Sequence, residues 1–233
     1  MDSPADNYKQ WLRQCYSEVF EMVVDCFESD RQTEAHQALN TAMKLLTNEG
    51  LHQIDDPLQH QPFPILKLNQ IISKLLLSER LMKNVIIRLT DYTIYDDFCF
   101  YSWKLLMKNL IPKDVNATFI QNYLELLNVL IPSSSSVNER NEDDQGQFLC
   151  KSVKLDPQSL RRNVNKVWNF IVQWPHTDVT HRQLLVLLLE KVLAYLEKPT
   201  MLTDYLIDSL YVGGQISLLA LQGIFVLIHK HNM

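Results

Sequence analysis

Apolar residues recur every three or four positions along most of this chain, which is the spacing of one face of an amphipathic helix. The first run extends from Tyr8 to Phe27, and a second extends from Ala35 to Leu46 and stops before Gly50. Ser29 and Asp30 lie between the two runs, where short polar side chains are expected to cap the second helix. The pattern predicts a helical hairpin, with Cys15 and Cys26 buried on the first apolar face.

The same spacing continues through the rest of the chain, interrupted where prolines gather between residues 51 and 64. Two helix starts have specific signals. Asn116 is placed to begin a helix, and Asp156 is placed to cap a helix whose first residue is Pro157. Ser78 is placed to cap the piece that begins near Leu81. The predicted helical runs are Ile65–Leu76, Leu81–Leu89, Tyr95–Ile111, Asn116–Ile131, 157–171, Thr177–Glu197, Pro199–Leu210 and Ile216–Ile228.

Consecutive helices of ordinary length with short joins predict an all-α fold. We expect helical hairpins stacked into an irregular α-solenoid of the armadillo or HEAT kind, although a compact irregular bundle fits the same pattern. Five glycines and nine prolines, with 46% hydrophobic residues, agree with helices better than with a turn-rich β-sandwich.

Residues 132–156 contain a serine-rich, acidic stretch that is poor in apolar groups, and we interpret this segment as a flexible linker. It separates an N-terminal helical region, residues 1–131, from a second helical region, residues 157–233. In the second region, Ile216–Ile228 is apolar but too short to span a bilayer, so we expect a buried central helix. Gly223 in its middle predicts that another helix crosses there closely.

Catalytic and cofactor-binding motifs that depend on glycine at fixed spacings cannot be written for this chain. The seven histidines form no metal-binding pair of the HExxH kind. We therefore expect no enzyme activity, no cofactor and no metal ion. The net charge is −5, so the chain also lacks the overall excess of basic residues that is typical of nucleic-acid-binding proteins.

Two features leave alternatives open. Gly213 and Gly214 precede a helix and could present free amides to an anion, or could form a tight turn between two helices. Arg161, Arg162 and Lys166 form a compact basic patch that is either a solvated helix face or a contact for phosphate or an acidic partner.

The run from Lys198 to Met233 resembles the start of the CCAAT-binding-factor domain of nucleolar complex proteins, and most of all the nucleolar complex protein four family. The resemblance covers about the last 36 residues as a long ordered pattern. The matched features are Pro199, Leu202, Thr203, Asp204, Asp208, Ser209, Tyr211, Gly213, Gly214, the stretch 217–221, Gly223 and the stretch 225–232.

This resemblance implies a non-catalytic ribosome-biogenesis factor of the nucleus and nucleolus. It implies a helical scaffold that acts in assembly and processing of the small-subunit (18S rRNA) precursor and pairs with nucleolar protein 14 on pre-ribosomal particles. Contact with RNA is then either direct or made through that partner. No membrane or small-molecule substrate is implied. The candidate interaction residues are Asp204, Tyr211, Gly213, Gly214 and Ser217, together with the basic Arg161, Arg162 and Lys166.

The family's domain continues beyond the residue that matches Asn232, so residues 157–233 are expected to be a truncated start of that domain. Such a helix end should leave Phe225, Leu227 and Ile228 as an exposed apolar patch. An alternative reading is a generic helical-repeat adaptor unrelated to ribosomes, which agrees with the acidic net charge and the lack of a basic localisation run.

Overall fold

Helices form nearly all of the regular structure in the computed structural model, which describes residues 4–52, 63–107, 115–132, 147–150 and 157–231. Within these ranges there is no β-strand, and the one β-bridge joins Tyr95 to Gln147. The prediction of an all-α fold is confirmed. The helices are α1 Pro4–Asp25, α2 Gln32–Leu51, α3 Ile65–Leu77, α4 Lys83–Ile86, α5 Asp96–Leu106, α6 Ala117–Leu130, α7 Pro157–Ile171, α8 Asp178–Glu190, α9 Thr203–Val212 and α10 Gly214–His231.

Among the described residues, helix α1 buries apolar side chains against the rest of the fold through the later part of its predicted apolar face. Phe20 and Val24 are buried, as is Phe27 in the 3₁₀ turn that follows, and they pack with α2 and α3. The earlier part of the run is exposed, so the prediction of one buried face from Tyr8 to Phe27 was wrong over its first half. Cys26 is exposed and Cys15 is half-buried, contrary to the expectation that both lie in the core.

The predicted caps have mixed outcomes. Asn116 accepts a hydrogen bond from the Phe119 amide at 2.7 Å, which confirms it as the cap of α6. Ser29 instead accepts from the Arg31 amide at 3.3 Å, and α2 begins one residue later without a side-chain cap. Ser78 likewise accepts from the Arg80 amide, and α4 begins only at Lys83. In both cases the serine stabilises the turn between two helices rather than the start of the second helix.

A single hydrophobic cluster extends from Phe20 in α1 to Leu227 in α10. Its largest fully buried side chains include Trp103 of α5, Tyr123 of α6 and Trp168 of α7. Successive helices pack on one another along the chain, with α7 against α5, α8 against α6, and α10 against both α8 and α9. This serial packing is solenoid-like, as predicted.

Residues 147–150, which lie inside the predicted linker, are held against the start of α5. The buried carboxylate of Asp97 accepts backbone hydrogen bonds from Leu149 at 2.8 Å and Cys150 at 2.9 Å, in addition to its neighbour Phe98. The Asp96 amide donates to the carbonyl of Gln147 at 2.9 Å. Other residues of the predicted linker, 133–146 and 151–156, lie outside the described ranges.

Helix α8 begins at a capping box, in which the Thr177 hydroxyl accepts from the Thr180 amide and Thr180 accepts from the Thr177 amide. It ends at Glu190, earlier than the predicted Glu197, and a 3₁₀ turn over Val192–Ala194 follows. Helix α7 begins at Pro157, as predicted. None of the helices in the described part of the chain combines the length and apolarity that crossing a bilayer requires.

Helix α10 lies at the outside of the fold rather than at its centre. Ile216, Ala220 and Leu227 are buried against α8 and α9, but apolar side chains on the opposite side of α10 are exposed. The prediction that this helix is central and buried was therefore wrong for the exposed half of the surface of α10. The prediction of a close crossing is confirmed, because a Cβ added at Gly223 would lie 3.0 Å from Leu206 and 3.5 Å from Leu189.

Candidate interaction surface

The turn between α9 and α10 depends on two glycines. Gly213 has φ +89° and Gly214 has φ +59°, both in the region that residues with a Cβ rarely adopt. The next turn is closed by the Ser217 amide, which donates to the Gly213 carbonyl at 3.3 Å. This geometry is that of a tight turn that lets α10 fold back along α9.

The predicted interaction residues lie in three separate places. Tyr211, whose side chain is 82% exposed, lies beside this turn with Gly213, Gly214 and the half-buried Ser217. Asp204 is exposed at the other end of α9, about two turns of helix away. The structure thus brings four of these five residues together.

The three basic residues lie elsewhere. Arg161, Arg162 and Lys166 are exposed on α7, which packs against α5. Asn165 on the same helix donates to the Tyr195 carbonyl at 3.0 Å and accepts from the Glu197 amide at 3.1 Å. These bonds fix the orientation of α7, so the basic side chains face solvent.

A groove of about 890 Å³ lies between α6, α8 and the start of α10, and Gly213 and Gly214 form part of its wall. Sequence reasoning did not find it, because its walls come from helices distant in the chain. Its floor contains Glu125, which binds Lys83 at 3.0 Å and accepts from Gln183 at 2.9 Å. Apolar side chains alternate with these polar groups: Leu81, Leu124, Val179, Val186, Leu187, Val212 and Ile216.

Buried Asn122 shapes one side of this groove. Its side-chain oxygen accepts from the Met82 amide at 2.8 Å, and its side-chain nitrogen donates to the Arg80 carbonyl at 2.9 Å. The side-chain oxygen and nitrogen of Asn122 therefore both attach the loop before α4 to α6. The periodic pattern marked Asn122 as neither core nor site, and nothing in the sequence alone distinguishes it from a solvated polar residue.

A histidine–serine pair beside the groove is structural rather than reactive. His181 Nε2 lies 2.9 Å from the Ser209 hydroxyl, which itself donates to the Tyr205 carbonyl at 2.7 Å. Because that hydroxyl proton is already donated to the backbone and Ser209 is 2% exposed, the histidine cannot activate it as a nucleophile. Burial lowers the pKa of His181, and also that of His176, which binds the Ile171 carbonyl at 2.8 Å.

Across the part of the chain that the structure describes, no group of three His, Cys, Asp or Glu side chains is placed to hold a metal ion. The outer face of α10, by which we mean Leu218, Leu221, Phe225 and Ile228, is exposed along the helix. Leu227, which was predicted to be exposed with Phe225 and Ile228, is fully buried because it points to the opposite side.

Comparison with known proteins extends the resemblance to the whole chain. The chain is 29% identical over 248 residues to nucleolar complex protein 4 homolog A of Xenopus laevis, covering 99% of this chain and 46% of that protein. It is 28% identical to the Rattus norvegicus nucleolar complex protein 4 homolog, covering 97% of this chain and 45% of that protein. The chain is thus similar to nucleolar complex protein 4 homologues over nearly all of its own length. This confirms the resemblance that was first seen in its last 36 residues.

An uncharacterised protein of Schizosaccharomyces pombe is similar at 26% identity, over 100% of this chain and 49% of its own length. The chain thus spans about half the length of the nucleolar complex protein 4 relatives that it matches. These relatives are named for a nucleolar complex and not for a reaction.

No family model matches the chain. The assignment of residues 157–233 to a CCAAT-binding-factor domain, and the division at residues 132–156, therefore stay predictions. Homology to nucleolar complex protein 4 proteins does not by itself say which surface of the chain is used. The outer face of α10 and the groove at Gly213 are the candidates that geometry supplies.

Proposed function

We propose that the chain is a non-catalytic helical scaffold that acts in the nucleolus during assembly of the small ribosomal subunit. The observation that carries this proposal is the apolar outer face of α10, which the described residues leave exposed. Support for the ribosomal setting comes from the names of its homologues and from the pattern of residues 198–233.

The outer face of α10 fits a partner helix. Leu218, Leu221, Phe225 and Ile228 are spaced by three, four and three residues, which is the spacing of a helix-packing seam. Between 50% and 69% of each side chain is exposed, and no carboxylate lies on α10 to repel an acidic partner. Contiguous exposed apolar surface of this kind marks protein interaction sites in soluble proteins.

The partner that we propose for this face is nucleolar protein 14, which the family resemblance implies. Tyr211 comes just before the turn at Gly213 and Gly214 that leads into α10, and its exposed aromatic ring can serve as an additional anchor. Arg161, Arg162 and Lys166 on α7 are a separate surface, to which we assign the weaker role of contacting phosphates of the 18S rRNA precursor.

Affinity capture tests the partner and the face together. Tagged chain would be recovered from nuclear extract and probed for nucleolar protein 14 and for small-subunit precursor RNA. We expect both to be recovered with the unaltered chain and to be lost with a Leu221→Asp, Phe225→Asp variant. Leu66→Asp is the matched control, since Leu66 is an exposed leucine on α3 far from α10 in the chain.

Two results would contradict the proposal. If the unaltered chain is folded but recovers neither nucleolar protein 14 nor the precursor RNA, the ribosomal role is contradicted and a generic helical adaptor is favoured. If the Leu221→Asp, Phe225→Asp variant still recovers both, the ribosomal role stands but the outer face of α10 is not the binding surface. Normal 18S rRNA levels after depletion, with the chain outside nucleoli, would also favour the adaptor.

A further inference from the structure

Helix α1 carries a second apolar stripe that points away from the fold. Tyr8, Leu12, Val19 and Met22 are 60, 44, 52 and 68% exposed, and half-buried Cys15 lies between them. We call these five residues the outer stripe. Their spacing of four, three, four and three residues is that of a coiled-coil seam.

The opposite side of α1 is fixed to the body, so the outer stripe cannot turn inward. Tyr16 donates to Glu49 at 3.0 Å, and the Lys67 ammonium lies 4.5 Å from the centre of the Phe20 ring. Residues 6–14 are exposed on every side, which leaves room for another helix along the first half of α1. Trp11, 56% exposed, adds apolar surface beside the stripe.

A helix with this much exposed apolar surface needs a covering partner. Short helices that no other element covers are marginally stable in water, and the first three turns of α1 have no covering neighbour among the described residues. Large exposed apolar side chains in contact with one another also carry a hydration cost. Tyr8 and Trp11 stack on each other with ring centres 5.8 Å apart, which concentrates that surface at one end.

The outer stripe is nearly symmetric about Cys15. Tyr8 precedes Cys15 by seven residues and Met22 follows it by seven, while Leu12 precedes it by three and Val19 follows it by four. An antiparallel second copy of α1 would therefore place Tyr8 level with Met22, Leu12 level with Val19, and Cys15 level with itself. Self-complementary surfaces of this kind form two-fold dimers, the commonest oligomers.

Charge along α1 favours the same orientation. The first half, residues 4–14, has Asp6, Lys9 and Arg13 and a net charge of +1, whereas the second half, residues 15–25, has Glu18, Glu21 and Asp25 and a net charge of −3. Antiparallel pairing brings the halves of opposite charge level with each other, while parallel pairing brings the two acidic halves together. Opposed helix dipoles add to this preference.

We propose that α1 is a homodimerisation element, which pairs antiparallel with α1 of a second copy of this chain and buries the outer stripe. This pairing uses a surface separate from the outer face of α10. It therefore stands or falls independently of the proposed ribosomal function.

The mass of the full chain in solution tests the pairing. By sedimentation equilibrium at micromolar concentration we expect twice the 27.3 kDa of one chain. A Leu12→Asp, Val19→Asp variant should sediment as a monomer and still unfold cooperatively on heating. A Leu66→Asp, Ile87→Asp variant is the matched control, because those exposed side chains lie outside the stripe, and it should remain dimeric.

Either of two results would overturn the pairing. An unaltered chain that sediments at the mass of one copy assigns the outer stripe to a helix of some other protein. A dimer that persists in the Leu12→Asp, Val19→Asp variant assigns the association to another surface. Cooperative thermal unfolding of the variant separates loss of association from loss of folding.

Disulfide trapping tests the orientation. In a chain with Cys15→Ser and Cys26→Ser, the two cysteines of this part of the molecule are removed. In this background, mild oxidation of a mixture of Leu12→Cys chains and Val19→Cys chains should give a cross-linked dimer. Oxidation of either variant alone should give no cross-linked dimer. Cross-linking of the Leu12→Cys chain with itself would overturn the antiparallel arrangement, as would a mixture that gives no cross-link.

Discussion

Gly223 lies against Leu206 where helices α10 and α9 cross, and an added Cβ would come within 3.0 Å of one Leu206 methyl and 3.1 Å of the other. Leu206 is fully buried, so its side chain has little room to move away. The glycine therefore sets how closely α10 approaches the rest of the fold, and with it the position of the outer face of α10.

A larger side chain at this crossing should be destabilising. We expect Gly223→Leu to lower the free energy of unfolding by about 1–3 kcal/mol, the usual cost of an overfilled core. Adding Leu206→Ala to that variant should recover part of the loss, although Leu206→Ala alone costs roughly 2–5 kcal/mol. Urea unfolding of the four chains gives the coupling, and strictly additive effects would show that the two residues do not compete for space.

The two glycines of the turn should differ in their tolerance of alanine. Gly213 has φ +89° and ψ 178°, a region open almost only to glycine, whereas the φ of +59° at Gly214 is one that other residues adopt in left-handed turns. No atom lies within 4 Å of an added Cβ at either position, so the backbone alone decides the cost.

We expect Gly213→Ala to cost about 1–3 kcal/mol and Gly214→Ala about 1 kcal/mol or a little more. Thermal unfolding of the two variants measures the difference. Equal costs, or a smaller cost at Gly213, would contradict the conformation of this turn.

Stability should fall as the solution becomes acidic. Burial lowers the pKa of His176 and His181 below the ordinary value of 6.5, so the unfolded chain binds protons at a higher pH than the folded chain does. Asp178 favours protonation of His181, but it is outweighed. The stabilisation from keeping these rings neutral is complete above pH 6.5 and is lost progressively below it.

Unfolding free energies measured from pH 8 to pH 5 should show this decline, and a His176→Gln, His181→Gln variant should reduce its slope. An equal slope in the two chains would contradict the assignment to these two half-buried histidines.

Loss of the Asp97 carboxylate should be among the more costly single changes. Asp97 is fully buried and accepts amide hydrogen bonds from Phe98, Leu149 and Cys150. An Asp97→Ala variant leaves these donors unsatisfied, at about 1–3 kcal/mol for each one that stays buried. Asp91→Ala, at an exposed position, is the control for the measured unfolding free energy and should be near neutral.

Much of this fold could be predicted from periodicity. The spacing of apolar residues located the helices, and local signals located specific boundaries at Asn116 and Pro157. Periodicity does not say whether an apolar face has a partner, however. That is why the first half of α1, and Leu218 and Leu221 of α10, were expected to be buried, when the described residues leave them exposed.

The candidate site was predicted less completely. Tyr211, Gly213, Gly214 and Ser217 were found through a local pattern, and they do lie together. The groove beside them was missed because Glu125, Lys83 and Gln183 meet only through tertiary packing. Asp97 was missed for the same reason, since its partners lie 52 and 53 residues further along the chain.

The bond between Asp97 and Cys150 also sets an order of events during synthesis. Because 53 residues separate the two, roughly 3–10 s of translation pass between them at about 5–20 residues per second. During that interval the carboxylate that belongs at the start of α5 has only its neighbour Phe98 as a donor, and the place against Gly50 that the Cys150 side chain fills is empty. The N-terminal helices can therefore form early, but their packing around α5 is completed only after Cys150 has emerged from the ribosome.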